Sequence, residues 1–120
     1  DPDLKIFLRA FLDLLKRDGV RPVFLLPPYH PKAYKTLSQD YPIVKDVETY
    51  YRTLAAAHHI PLLGSYDPNL CECRESDFFD PVHPKPSAIR RILSAQSLLA
   101  SFEPMSSAYV PTKQSASPPR

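Results

Sequence analysis

Glycine is scarce in this chain: Gly19 and Gly64 are the only two in 120 residues. No glycine-rich loop therefore precedes a helix, and a phosphate- or nucleotide-binding cradle has little sequence to rest on. Cysteine is equally sparse. Cys71 and Cys73 are separated by a single residue, too short a loop for a comfortable disulfide, and His30, His58, His59 and His83 lack zinc-site spacings. Two ordinary loop thiols are expected, with no metal and no cofactor. No apolar run approaches the roughly 18 to 20 residues of a membrane span, and nothing resembles a signal peptide. Because the first residue is Asp1 and not Met, an export or anchoring segment ahead of it stays open, and the compartment with it. A field of one sign is also missing. The 15 basic and 13 acidic residues leave a net charge of +2 spread along the chain, so no nucleic-acid partner is expected.

What is present is the composition of a globular protein, 43% hydrophobic and 23% charged. Asp1-Pro2 reads as an N-cap with proline at the first helical position, followed by Leu4, Phe7, Leu8, Phe11, Leu14 and Leu15 at helical spacing and a stop at Asp18-Gly19. The segment from Val20 closes in the run Val23-Phe24-Leu25-Leu26, which suits a strand buried on both faces of a parallel sheet, and Pro27-Pro28 ends it. After a polar stretch from Pro31 to Tyr41 with weak helical character, Pro42 opens a second strong helix whose inward positions are Val44, Val47, Tyr51 and Leu54. His58-His59 closes it, Ile60 to Ser65 forms a second short strand, and a long loop from Tyr66 to Lys85 leads to a last helix marked by Ile89, Ile92, Leu93 and Leu99.

This alternation predicts an α/β fold with parallel strands joined by right-handed crossovers. Two strands make a poor sheet, so residues 1–102 read as part of a domain, although a short protein or a dimer that completes the sheet satisfies the same pattern. From Glu103 to Arg120 the chain is Ser- and Pro-rich, with too few large apolar residues to offset the entropy of ordering, and is expected to be a disordered tail.

Chemistry concentrates in Asp77-Phe78-Phe79-Asp80-Pro81-Val82-His83-Pro84-Lys85-Pro86-Ser87, in the loop after the second strand, where open α/β sheets bind ligands. An aspartate three residues before a histidine in a proline-stiffened turn can hold the imidazole Nδ1 and leave Nε2 to take a proton from a nucleophile. On spacing alone the plainer reading is the commoner one: Asp80 caps a turn, His83 is a wet loop residue and Ser87 is the N-cap of the last helix. Tyr29 and His30, just after the first strand, could line the same mouth as substrate-binding residues, although a proline-rich loop with exposed rings needs no function.

The run from Phe78 to Pro84, followed by Ser87 and a helix, resembles the closing Asp-x-x-His element of SGNH/GDSL hydrolases. Leu25 to Pro31 resembles the strand and loop that precede it in bacterial members, and Ile60 to Asp67 their penultimate strand, so the likeness spans about residues 1 to 100. It implies a partial flavodoxin-like three-layer α/β/α sandwich and cleavage or transfer of an ester-linked acyl group on a small-molecule, carbohydrate or lipid ester. His83 would be the general base and Asp80 its orienting carboxylate. The family's Gly-Asp-Ser nucleophile block and its Gly-x-Asn-Asp element are not found: Asn69 stands alone, and Ser65 in Gly64-Ser65-Tyr66-Asp67 matches the later strand. Loss of a nucleophile lowers the rate on the order of 10⁶-fold, so this chain by itself is expected to be nearly inactive, and the resemblance implies a missing N-terminal half of the domain that supplies the serine, the oxyanion donors and the remaining strands. The rival reading is a truncated or degenerate α/β module with a structural or interaction role.

Overall fold

The computed structural model describes residues 1–94; the expected tail from 103 to 120, and Leu99 in the last predicted helix, lie outside them. The chain folds as helices α1 (Pro2–Arg17), α2 (Pro31–Asp40), α3 (Ile43–Ala57) and α4 (Pro86–Leu93), with strand β1 (Phe24–Leu26) before α2 and strand β2 (Leu62–Gly64) after α3. Among the described residues the two strands form one parallel sheet in the register Phe24 to Leu62, Leu25 to Leu63 and Leu26 to Gly64. The class is α/β with parallel strands.

Local chemistry explains the element ends. The Asp1 carboxylate accepts from the Asp3 N–H at 2.9 Å and Pro2 supplies a helix-ready φ at the start of α1. At its far end Gly19 adopts φ +72°, and the Val20 N–H returns to the Leu15 carbonyl. The polar stretch expected to be only weakly helical is a full helix, α2. Pro31 sits in its first turn and the His30 side chain caps it, a stronger start than the composition suggested. The N-cap of α4 is Lys85, with Pro86 next, so Ser87 does not cap it.

Leu26, Leu54, Ala55, Leu63 and Ile92 are buried around the sheet, while Cys73, Phe78 and Ala88 form a second cluster beneath the loop that follows it. The inward positions expected in α3 hold, with Leu54 buried and Val44, Val47 and Tyr51 half-buried. Helix α1 differs. Its buried residue is Leu12, with Leu8 and Leu15 half-buried at helical spacing beside it, whereas Leu4, Phe7, Phe11 and Leu14 are exposed. The helix carries two apolar stripes, and a two-strand sheet offers a surface to only one of them.

Gly64 ends β2 with φ +77°, and a Cβ there would collide with the carbonyl oxygen of its partner Leu26. Only glycine lets the strand turn away so close to its neighbour. That turn delivers the chain to the loop carrying Asp80 and His83.

Candidate active site

The expected long loop from Tyr66 to Lys85 is ordered by its own hydrogen bonds. Two 3₁₀ turns, Pro68–Cys71 and Glu75–Asp77, lead into a small antiparallel closure between Phe78 and Pro84. The Phe79 N–H donates to the His83 carbonyl at 2.9 Å and the Lys85 N–H to the Asp77 carbonyl at 2.7 Å. Asp80 and His83 occupy the tip of this hairpin.

The two carboxylate oxygens of Asp80 have separate jobs. Oδ1 accepts from the Val82 and His83 N–H groups, both at 2.9 Å, while Oδ2 lies 2.6 Å from His83 Nδ1. One residue thus both caps the turn and pairs with the imidazole Nδ1. The Val82 N–H and then the His83 ring hold the Asp80 carboxyl below the usual carboxylate range. Since a carboxylate only accepts, Nδ1 carries the proton and Nε2 of the neutral ring is the free base. The pair is open, with His83 71% and Asp80 46% exposed at the side chain.

Asp77 anchors the base of the hairpin. It accepts from the Arg74 N–H at 2.8 Å and from both Arg91 terminal nitrogens, at 3.0 and 3.3 Å, tying the loop to α4. These bonds, the Arg74 N–H foremost, lower its carboxyl as well.

The structure separates the two other proposed site residues. His30 adjoins the hairpin: its N–H donates to the Pro81 carbonyl at 3.0 Å, its ring meets Phe78 edge-on at 5.5 Å, and Nδ1 accepts from the Lys32 N–H at 3.2 Å. A cleft of about 430 Å³ lies between His30–Ala33 and Phe78–Pro81, with Asp80 in its wall. Tyr29 instead packs on Tyr66, with ring centroids 5.6 Å apart and its N–H on the Tyr66 carbonyl. It braces the loop root and does not line that cleft.

Ser65 is not poised as a nucleophile. It is 1% exposed, its hydroxyl donates to Glu48 Oε1 at 2.7 Å, and Ser65 Oγ itself accepts from the Asp67 N–H at 3.0 Å. Both cysteines are free thiols, and burial raises them both. That makes them weak nucleophiles. No group of three or more potential metal ligands occurs among the described residues.

Sequence reading missed Glu48. Its Oε1 accepts from the Ser65 hydroxyl and from Arg52 Nε and Nη2, its Oε2 accepts from the Tyr66 N–H at 3.0 Å, and Arg52 Nη2 also donates to the Gly64 carbonyl at 3.1 Å. The cluster fixes the end of β2 from α3. A lone carboxylate on the inward stripe of α3, next to Val47 and one turn from Tyr51, was the available signal.

No protein-family profile, curated protein or solved structure matches the chain. No helix among the described residues is long and apolar enough to cross a membrane.

Proposed function

We propose that this chain is the acid–base portion of an SGNH/GDSL-like serine hydrolase domain of the flavodoxin-like three-layer kind, acting on ester bonds by hydrolysis or acyl transfer. A serine supplied from outside the chain attacks the ester carbonyl. His83 Nε2 takes the hydroxyl proton and later returns it to the leaving alcohol, while Asp80 holds the ring and stabilises the imidazolium. The observation that carries this reading is the 2.6 Å pairing of Asp80 Oδ2 with His83 Nδ1 at the tip of a loop after a parallel strand. The buried Ser65, whose hydroxyl is committed to Glu48, and the two thiols raised by burial support the reading in which the serine comes from outside this chain.

The test is turnover of p-nitrophenyl acetate by the longest reading frame that contains this chain, beside the same frame with His83→Ala. Serine-dependent turnover lost in His83→Ala is the expected result. Activity that survives the substitution removes His83 from the chemistry, and a frame with neither a Gly-Asp-Ser block nor turnover leaves a non-catalytic α/β module.

A further inference from the structure

Helix α1 meets different surroundings on its two sides. Lys5 Nζ lies 4.6 Å from the centroid of the Tyr50 ring, and Arg9 shares a cleft with Tyr50 and Leu54, so one flank faces α3. Leu8, Leu12 and Leu15 turn inward next to that flank. At about 100° per residue, Leu4, Phe7, Phe11 and Leu14 fall within an arc of about 80° on the side away from α3. All four are exposed, Leu4 and Phe7 most of all.

Their order carries a symmetry. The intervals are three, four and three residues, so the series Leu-Phe-Phe-Leu reads the same in both directions about Arg9. Two such helices laid antiparallel about a two-fold axis bring Phe7 against the partner's Phe11 and Leu4 against the partner's Leu14, each contact occurring twice. Charge selects this direction over the parallel one. Asp3 lies in the first turn, Lys16 and Arg17 in the last, and all three are exposed. Antiparallel packing sets acid near base and opposes the two helix dipoles, whereas parallel packing sets like charges together. We propose that the Leu4, Phe7, Phe11 and Leu14 stripe is the interface of a homodimer, occupied by the same stripe of a second copy packed antiparallel about a two-fold axis. The dimer is independent of the hydrolase reading, since no residue of the Asp80–His83 hairpin takes part. Four such side chains on each copy bury on the order of 1,000 Å² in all, the lower end for a specific pair, so a dissociation constant of roughly 10 to 100 μM is expected.

The experiment is sedimentation equilibrium on the longest reading frame that contains this chain, on its Phe7→Glu and Phe11→Lys variants, and on an equimolar mixture of the two variants. Each variant alone should dimerise about tenfold more weakly, because both central contacts of its own pair set a charge against a phenyl ring. The mixture should associate at least about fivefold more tightly than either variant, since one contact becomes Glu against Lys and the other stays Phe against Phe. Parallel packing gives no such rescue, because residue 7 then meets residue 7. Leu4→Glu mixed with Leu14→Lys repeats the test at the outer contacts and replaces the first pair if circular dichroism shows that a phenylalanine variant has unfolded. A frame that stays monomeric, including one whose other residues cover the stripe, overturns the dimer. So does association that the single variants leave unchanged, or a mixture no tighter than its components.

Discussion

At the scale of single residues, Asp80 separates two functions that aspartate usually merges. Asp80→Asn keeps Oδ1 for the Val82 and His83 N–H groups but replaces Oδ2 with an amide that donates. The turn should survive and the imidazole proton move to Nε2, removing the base. Asp80→Ala should lose both turn and tautomer. Backbone amide shifts of Val82 and His83 together with the histidine ¹⁵N pattern distinguish the two: unchanged amides with an altered ring for asparagine, both altered for alanine. The sequence made the Asp80–His83 pairing legible because a three-residue separation is short enough for local geometry to decide. It did not resolve Tyr29 from His30, since adjacent residues leave a strand end in opposite directions and only tertiary contacts with Tyr66 and Phe78 say which way each turns.

At the scale of elements, the hairpin and the end of β2 are held by carboxylates. Asp77 and Asp80 are both lowered in the folded chain, so near and below the ordinary carboxylate value the unfolded chain binds more protons. Their contribution is present above about pH 4 and is lost as pH falls through the lower folded values. Between about pH 5 and pH 4 the Val82 and His83 amide resonances should therefore stay in place, and move only at lower pH; movement within that range would show that the turn does not hold the Asp80 carboxyl down. Glu48 acts at the other end of the loop. Glu48→Ala strands Ser65 Oγ, the Tyr66 N–H and Arg52 at once, and should destabilise the fold by about 2 kcal/mol or more in chemical denaturation. A loss within about 0.5 kcal/mol would mean that water replaces the carboxylate. Such a cluster is hard to read from sequence because its members are 17 and 18 residues apart and Glu48 is ordinary in a helix.

For the molecule as a whole, the second stripe of α1 is the main departure from the sequence expectation. Periodicity located the helix to within a residue, yet it could not show that Leu4, Phe7, Phe11 and Leu14 face outward, because a pattern registers apolar spacing and not what covers it. With Phe7 72% exposed, this stripe is a contiguous apolar surface of the kind that drives association. Sedimentation should show concentration-dependent self-association that Phe7→Glu with Phe11→Glu suppresses. Each exposed substitution should leave stability within about 0.5 kcal/mol. An unchanged sedimentation profile would show that the stripe makes no such contact.

The parallel register of β1 and β2 also has a kinetic meaning. Phe24 meets Leu62 only after the chain has closed a loop of nearly forty residues, and most of that loop is α2 and α3. Helices form in about a microsecond or less, whereas such non-local pairing must wait for the intervening elements to find their places. The hairpin bearing Asp80 and His83 hangs from β2, so its position relative to His30 is among the last features the folding chain acquires. A nascent or partly unfolded chain can thus form the Asp80–His83 turn locally yet lack the cleft beside it, which ties the cleft to completion of the fold.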